Sequence, residues 1–282
     1  TAAAEPAVLV GGPLQILRHA PDGNVPLAPH VSMTFSQPMI ALTSHGELAS
    51  TGVPVTLTPQ PSGSWRWIGT QTLLFESTPR LPMATDYQVD VPARTTSVSG
   101  GTLAKPERWT FSTPPPTLVT SHPVDGRPSP LDPVLFAEFD QTIDPAEVLR
   151  TIRVHAGTAA QRLRLATPEE ITADERVSRL AKQAQQGRWV AFRAGDRLPP
   201  DARVKVTVGP GTPSAEGPNT TATPQAWQFR TFGPLRIVRH QCGWGDNCRP
   251  YAPWRVDFSN PLDASLFVEE MVRVEPPLAG MK

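Results

Sequence analysis

The chain repeats one order of short strands twice and begins it a third time. Each copy opens on a proline followed by apolar residues, at residues 13–16, 116–119 and 234–237. About twenty residues later each copy reaches an alternating strand, at residues 31–39, 135–143 and 254–262. A period of roughly 100–120 residues is too long for a solenoid repeat and matches an independently folding domain. The sequence therefore predicts an array of similar modules, an organisation typical of scaffolds.

The first copy has the pattern of a β-sandwich. Val53, Val55 and Leu57 alternate with residues that face the other way, as in a half-buried strand. Residues 65–69 and 72–76 predict a hairpin. Seven or so short strands over about 100 residues are typical of an immunoglobulin-like sandwich. We therefore predict an all-β fold of tandem immunoglobulin-like β-sandwich domains.

The second copy carries an insertion that predicts helix. Thr167 is a candidate N-cap, Pro168 stands at the first helical position, and Glu170 completes a capping box. An apolar stripe follows, and Gly187 ends it. The sequence predicts one short helix or a helix pair over residues 168–186, lying on the side of the second sandwich.

These patterns divide the chain into three parts. We expect one sandwich over residues 1–114, a second over residues 115–233, and the start of a third, truncated β domain over residues 234–282. Half a sandwich would expose an apolar face. We expect the rest of the third domain to lie beyond Lys282; the alternative is that another chain completes its core.

The composition narrows the classes of partner. Lysine plus arginine and aspartate plus glutamate number 26 each, so the formal net charge is zero. Because the chain has no excess of positive charge, we do not expect nucleic acid as a partner. Since no apolar run approaches about eighteen residues, we expect no membrane insertion by this chain.

The two cysteines, Cys242 and Cys248, lie close together in a glycine-containing segment. Their even number and close spacing favour a disulfide, which would indicate an oxidising compartment, either the periplasm or the exterior. The alternative is a zinc site with His240, which supplies three ligands where a closed structural site needs four.

No other residues predict a reaction centre. His19 and His122 precede matching turns in the two copies, which favours a structural role over ligation. Asp140 and Asp144 could be paired carboxylates, but acids at a strand end more often cap the next turn. The sequence shows no nucleophile elbow, phosphate loop or dinucleotide motif. We expect no enzyme activity, cofactor or metal.

Tryptophans recur in the two complete copies. We match Trp109 with Trp227 and Trp67 with Trp189. A sugar-stacking platform is one interpretation. Recurrence within one chain favours core packing instead.

Four stretches resemble the N-terminal region of bacterial alpha-2-macroglobulin-like proteins. The first is Phe-Ser-Gln-Pro-Met at residues 35–39, and the second and third are residues 165–174 and 208–218. The fourth joins Cys-Gly-Trp at 242–244 and Cys-Arg-Pro at 248–250 to residues 258–263. The resemblance extends from about Gly12 to Lys282.

That resemblance implies a periplasmic or secreted broad-spectrum protease inhibitor, with a lipid anchor in some full-length forms. Such proteins present a bait region, and many carry a Cys-x-Glu-Gln thioester. Neither cysteine here is followed by Glu-Gln two residues on, so bait and thioester would lie outside this chain. The implied partners are target proteases, met through the full-length protein, and other domains of the same parent chain.

Two functions follow from the sequence. The chain is the N-terminal scaffold of such an inhibitor, or it is a tandem cell-surface array that binds protein or glycan through edge strands or exposed tryptophans.

Overall fold

The chain forms two consecutive β-sandwiches followed by a β-hairpin. A computed structural model describes residues 12–26, 30–41, 53–243 and 252–273. We call the two sandwiches the first and second modules.

The described residues of the first module form eight strands in two four-stranded sheets. Their bounds are β1 Ile16–Ala20, β2 Gly23–Asn24, β3 His30–Phe35, β4 Thr56–Thr58, β5 Gly63–Ile68, β6 Thr72–Ser77, β7 Asp86–Val91 and β8 Glu107–Ser112. One sheet has the order β1-β3-β6-β5 and the other the order β2-β8-β7-β4. All pairs are antiparallel except β2 with β8.

Alternating side chains of both sheets form the first core. Val31, Met33 and Phe35 point inward from β3, while the intervening Ser32 and Thr34 lie partly exposed. They pack in one cluster with inward residues of the opposite sheet. The period of two in the sequence therefore corresponds to the inner and outer faces of the sheet.

The second module repeats this architecture with eight strands and three helices. Its strands are β9 Leu118–His122, β10 Leu135–Phe139, β11 Ile152–Ala156, β12 Ala159–Ala160, β13 Leu163–Leu165, β14 Trp189–Ala194, β15 Arg203–Val208 and β16 Gln225–Arg230. Its helices are α1 Pro145–Thr151, α2 Pro168–Ala173 and α3 Glu175–Gln183. The sheet orders are β13-β14-β10-β9 and β12-β11-β15-β16.

The helix pair α2–α3 covers the outer face of one sheet of the second module. Val177 of α3 packs in a separate cluster with Val134, Phe136 and Ala191. The capping box is present: Thr167 Oγ1 accepts from the Glu170 amide, and the Glu170 side chain accepts from the Thr167 amide. These contacts explain why the insertion lies on the side of the sandwich.

Glu170 also attaches α2 to the sheet beneath it. Its carboxylate accepts from Arg164 of β13 at 2.6 Å and from Arg193 of β14 at 2.7 Å. Hydrogen bonds from the Arg164 guanidinium, the Thr167 amide and the Arg193 guanidinium hold the pKa of Glu170 well below its usual range. One acid therefore both caps the helix and joins it to two strands.

In the third part, residues 234–243 and 252–273 are described, and they form an antiparallel hairpin followed by two 3-10 turns. It comprises β17 Ile237–Cys242 and β18 Trp254–Phe258, then turns at Ala264–Leu266 and Glu269–Met271. Both strands expose apolar side chains, including Trp254 and Ile237. This hairpin matches the opening strands of the earlier modules, β1 with β3 and β9 with β10.

The predicted fold class is confirmed: the chain is built of tandem immunoglobulin-like β-sandwiches, with a helical insertion in the second. The boundaries 1–114, 115–233 and 234–282 remain predictions. The helices of the described residues are too short or too polar to cross a lipid bilayer.

One predicted equivalence is wrong. Trp67 lies on β5, whereas Trp189 lies on β14, whose counterpart in the first module is β6. Trp67 is buried in the first core, while Trp189 stacks on Phe136 beneath the helix pair. Trp109 and Trp227 do occupy equivalent positions, opposite Val89 and Val206 respectively.

Candidate functional site at the joint between the modules

A repeated pair of hydrogen bonds fixes how the chain enters each module. In each copy, the residue two positions after the phenylalanine that ends the strand has a side-chain amide, which donates to a backbone carbonyl of the incoming segment. The three hydrogen bonds are Gln37 to Gly12 at 2.6 Å, Gln141 to Pro114 at 3.1 Å, and Asn260 to Gly233 at 2.8 Å. The residue just before that amide has a side-chain oxygen, which accepts a hydrogen bond from a backbone amide of the incoming segment. Ser36 accepts from Gln15, Asp140 from Thr117, and Ser259 from Arg236. The three-residue motifs Phe-Ser-Gln, Phe-Asp-Gln and Phe-Ser-Asn therefore set the entry direction.

The linker between the two modules is stiff and held on both sides. It contains three consecutive prolines, residues 114–116, which restrict the backbone. Gln225 of β16 accepts from the Leu118 amide at 2.7 Å and donates to the Pro116 carbonyl at 3.0 Å. From the first module, the Ala84 amide donates to the Pro114 carbonyl at 2.9 Å. Both modules therefore hold this proline segment.

The first module contributes a rigid turn at residues 82–86, which we call the socket. The Pro82 carbonyl accepts from the Tyr87 hydroxyl at 3.1 Å and from Thr113 Oγ1 at 2.9 Å. Burial raises the pKa of Tyr87 to about 12, so its hydroxyl keeps the proton that it donates. Ala84 adopts φ +54°, a left-handed conformation that a non-glycine residue holds only when its surroundings fix it.

The second module contributes a loop at residues 209–222, which we call the joint loop. Its base is closed by backbone hydrogen bonds between Gly211 and Thr221 and between Thr221 and Thr212, at 2.8 and 3.1 Å. Thr221 Oγ1 also accepts from the Thr212 amide at 2.9 Å. Gly209 and Gly211 have φ values of +73° and +84°, which favour glycine. The closed base projects the tip of the loop towards the socket.

Glu216 at the tip binds groups of both modules. Its carboxylate accepts from Arg80 at 2.7 Å and from the Met83 amide at 3.0 Å, both in the first module. It also accepts from the Thr142 amide of the second module at 2.7 Å. The side chain is 14% exposed and that of Arg80 is 25% exposed. One carboxylate therefore ties three segments together where solvent screens it weakly.

The electrostatics of the joint favour an ionised Glu216. Burial by itself raises the pKa of this carboxyl. The amides of Thr142 and Met83 and the charge of Arg80 outweigh burial, and the pKa lies below its ordinary value of 4.5. At neutral pH Glu216 is therefore ionised, and its charged carboxylate has a structural role in the joint.

Backbone contacts beside Glu216 complete the joint. The Asn219 amide donates to the Ala84 carbonyl at 2.8 Å, and its side chain donates to Asp86 at 2.9 Å. Gly217 lies directly against the socket backbone. These polar, directional contacts fix an orientation between the modules, in contrast to an apolar patch that tolerates sliding.

A cleft of about 780 Å³ runs along the joint. Asp86, Pro114, Asp140 and Asn219 are among the residues that line it. Asp86 and Asp140 both accept hydrogen bonds that belong to the joint. The cleft is therefore bounded by the groups that hold the modules together.

We expect Glu216→Gln to weaken the coupling between the modules by about 2 kcal/mol, because hydrogen bonds to a charged acceptor become bonds to a neutral amide. Calorimetry should then resolve two melting transitions in place of a shared one. Glu107→Gln, at an exposed position on β8, is the control and should leave the melting profile unchanged.

The same joint should respond to acid. A carboxyl whose pKa is depressed on folding contributes stability above about pH 4.5, and this stability is lost as the pH falls through the folded-state pKa. The wild-type modules should uncouple in that acid range, whereas Glu216→Gln should show no such change. Equal acid responses of the two proteins would contradict this role for Glu216.

The structure places only part of the predicted disulfide. Cys242 is buried at the end of β17, while Cys248 lies outside the described residues. The pairing of Cys242 with Cys248, and the alternative of zinc with His240, therefore remain predictions.

Asp140, Asp144 and His19 make structural contacts. Asp144 caps α1 by accepting from the Ala146 amide at 2.8 Å. Asp140 holds the linker. His19 stacks on Trp109 with ring centroids 4.4 Å apart, and burial lowers the pKa of His122.

Sequence reasoning missed Glu216 and Gly217. Both lie in residues 208–218, one of the stretches that resemble the alpha-2-macroglobulin-like proteins. The sequence offers one indication of this role: Glu216 is the single acidic residue in a segment rich in glycine and proline. Its partners, Arg80 and Met83, lie 136 and 133 residues away in sequence, so no local pattern connects them.

Comparison with known families identifies both modules. A family described as "Bacterial Ig-like domain" matches residues 13–113 and again residues 114–231. The two matches follow one another directly and meet in the linker that contains the three prolines.

Individual relatives are distant. Native alpha-2-macroglobulin from Escherichia coli, spanning domains MG0-NIE-MG1, is 14% identical with a TM-score of 0.26, and the match covers 81% of this chain and 74% of that chain. An L,D-transpeptidase from Mycobacterium tuberculosis is 18% identical with a TM-score of 0.24, covering 55% and 59% respectively. Circularly permutated Ras protein 2 of Dictyostelium discoideum is 26% identical over 293 positions, which cover 88% of this chain. The chain spans about 7% of the length of that curated relative.

Proposed function

The chain belongs to the bacterial Ig-like domain family, and from that premise we propose that it is the N-terminal scaffold of an alpha-2-macroglobulin-like, broad-spectrum protease inhibitor. The observation that carries the proposal is the joint. Residues 208–218, a stretch that resembles those inhibitors, include the Glu216 tip that locks two modules at one angle.

A rigid frame is the physical requirement of a protease trap. Trapping by conformational change needs bait and capturing group to stay apart until cleavage releases them. Modules joined by a flexible linker would not maintain that separation, because such a linker samples many orientations. The stiff linker, the socket and the joint loop supply a fixed orientation instead.

In this proposal the chain performs no reaction itself. Bait and thioester lie in other parts of the parent protein, target proteases are met through that protein, and other domains of the parent are the direct neighbours of this one. The proposed location is the periplasm or the exterior, with or without a lipid anchor. A disulfide between Cys242 and Cys248 would suit that compartment.

The test is protease inhibition by the product of the complete gene. We expect it to slow digestion of a large substrate such as casein by endopeptidases of unrelated specificity, while hydrolysis of small chromogenic peptides continues. That contrast distinguishes trapping from active-site blockade. Residues 1–282 alone serve as the control and should inhibit neither reaction.

Two results would overturn the proposal. One is unchanged casein digestion in the presence of the complete gene product. The other is specific, saturable binding of a surface glycan or protein by residues 1–282 alone, which would favour the adhesive array.

A further inference from the structure

Charge is unevenly distributed over the second module, although the net charge of the chain is zero. The sheet β12-β11-β15-β16 turns one face to the core and the other to solvent. Buried residues alternate with exposed ones along its strands, so the register identifies the outward positions. We call this outer surface the basic face. Four of its side chains are lysine or arginine and none is acidic; its members are Arg153, His155, Ala160, Arg203, Lys205, Thr207, Ala226, Gln228 and Arg230.

The equivalent face of the first module has a different charge. Two of its outward side chains are aspartates and one is an arginine; the members on β4, β7 and β8 are Thr56, Thr58, Asp86, Gln88, Asp90, Arg108, Thr110 and Ser112. Arg108 donates to Asp90, so most of this charge is balanced within the face. The excess of positive charge therefore belongs to the second module and is not required by the β-sandwich.

The basic face places like charges side by side. Arg203 and Arg230 lie directly opposite each other on β15 and β16, and like charges at such positions destabilise antiparallel strands. Asp201 lies 2.9 Å from Arg230. In the part of the chain that the structure describes, no carboxylate forms an ion pair with Arg203 or Lys205. Exposed cations that the fold does not neutralise indicate a partner with negative charge.

The other side chains of the basic face narrow the class of partner. None is tryptophan, tyrosine, phenylalanine or a large aliphatic residue. Protein interfaces have a core enriched in aromatic and apolar side chains, and proteins that bind single-stranded nucleic acid stack the bases on aromatic rings. An anionic lipid surface requires neither, because its headgroups attract exposed lysine and arginine through charge.

The spacing of the cations favours the same partner. Side chains that share a face lie about 5 Å apart across neighbouring strands and about 7 Å apart along one strand. The basic groups are therefore spread over three strands, β11, β15 and β16. This arrangement suits a surface of many headgroups, whereas a pocket for one anion would bring the donors together at one point.

We propose that the basic face of the second module binds an anionic lipid surface through its phosphate-containing headgroups, without insertion into the bilayer. Arg153, Arg203, Lys205 and Arg230 are the contacts with the headgroups. This contact gives the two rigidly joined modules one orientation relative to a membrane. The proposal does not depend on the protease-inhibitor function.

The test is sedimentation of residues 1–282 with lipid vesicles at millimolar lipid and about 0.1 M salt. Vesicles of phosphatidylcholine with about 30% phosphatidylglycerol should bind the wild type, whereas vesicles of phosphatidylcholine alone should not. Raising the salt to about 0.5 M should release the protein, because the attraction is screened.

The double variant Arg203→Glu/Lys205→Glu removes two cations from the centre of the basic face. Its affinity for the anionic vesicles should fall at least about 25-fold, which is about fivefold for each cation lost. Its melting temperature should equal or exceed that of the wild type, because an acid at position 203 lies opposite Arg230. Loss of binding without loss of stability separates a binding role from a structural one.

Arg179→Glu/Lys182→Glu is the matched control. It changes the net charge by the same amount at exposed positions of α3, which covers the other sheet of the second module. Its affinity for the anionic vesicles should change by less than about threefold, because charges more than about 10 Å from the contact are screened at this salt concentration.

Four outcomes would overturn the proposal. The first is a wild type that binds neither kind of vesicle or binds both equally, and the second is an equal loss of binding in the two double variants. The third is retention on immobilised heparin by a protein that does not bind the vesicles, which would assign the basic face to a soluble polyanion. The fourth is a lower melting temperature of Arg203→Glu/Lys205→Glu, since the two cations would then have a structural role.

Discussion

A single methyl group at Gly217 is expected to separate the two modules. A Cβ atom at this position would lie 2.5 Å from the Met83 carbonyl oxygen and closer still to the Ala84 carbonyl and Thr85 Oγ1. The first two obstacles are backbone atoms of the socket, which Tyr87 and Thr113 hold in place. The joint loop therefore has to withdraw.

Withdrawal breaks several contacts at once. The Asn219 bonds to Ala84 and Asp86 and the Glu216 bonds to Arg80 and Met83 all depend on the loop tip being seated. We expect Gly217→Ala to remove about 3–4 kcal/mol of coupling between the modules, since these bonds act together. Small-angle scattering should show a broader distribution of interatomic distances, and calorimetry should show separate melting of the modules.

Gly195→Ala is the matched control for this change. A Cβ at Gly195 meets Arg162 Cβ at 3.6 Å, an ordinary van der Waals contact. We expect no change in scattering or melting from it. If Gly217→Ala also leaves both measurements unchanged, Gly217 does not fit closely against the socket.

In the complete gene product, Gly217→Ala should reduce protease inhibition if the scaffold function is right.

The modules could be predicted from sequence because their determinants are local and repeated. Alternation in residues 31–35 indicated which side chains point inward, and the Thr167–Glu170 capping box indicated where α2 begins. Turn residues between short apolar runs indicated a sandwich. Each of these patterns depends on neighbours within a few residues.

The joint could not be predicted in the same way. Glu216 is recognisable as an anchor only when residues 80–83 and 142 are brought beside it, which is a property of tertiary structure. The Trp67–Trp189 equivalence failed for a related reason. The match rests on residue type alone and ignores the order of strands in each sheet. That order places Trp67 and Trp189 on strands that are not equivalent.

The sequence of β10 differs from that of its counterpart β3 in one pattern. Residues 134–137, Val-Leu-Phe-Ala, form a continuous apolar run, whereas residues 31–35 of the first module alternate. A continuous run indicates a strand buried on both faces. It therefore indicates a cover on the outer face of the second module, and the helix pair supplies that cover.

Phe136, at the centre of this apolar run, is expected to show the second large effect. Its side chain is 0% exposed, and its ring stacks on Trp189 with centroids 5.6 Å apart. Val177 of α3 packs in the same cluster. Phe136→Ala should destabilise the second module by about 3–5 kcal/mol, through lost burial and the cavity left behind. Its melting temperature should fall by roughly 15 °C.

The loss should also be visible in the helix pair. Val177 is the buried residue of α3, and Phe136 is the largest fully buried side chain of the cluster that it joins. Removing Phe136 should therefore expose residues 168–183 to limited proteolysis at temperatures where the β-sandwich is still folded. Far-UV circular dichroism should record loss of helix before loss of strand.

Ser32 is the matched control, because it occupies the position of Phe136 in the first module, whose described residues form no helix over that sheet. Ser32→Ala should change stability by less than about 0.5 kcal/mol, as is usual for surface positions. Phe136→Leu, which keeps most of the volume, should lose less than Phe136→Ala. If Phe136→Ala instead melts like the wild type and resists proteolysis, the helix pair is held by Glu170 and its two arginines and not by the apolar face. The continuous apolar run of β10 would then not explain the helical cover of the second module.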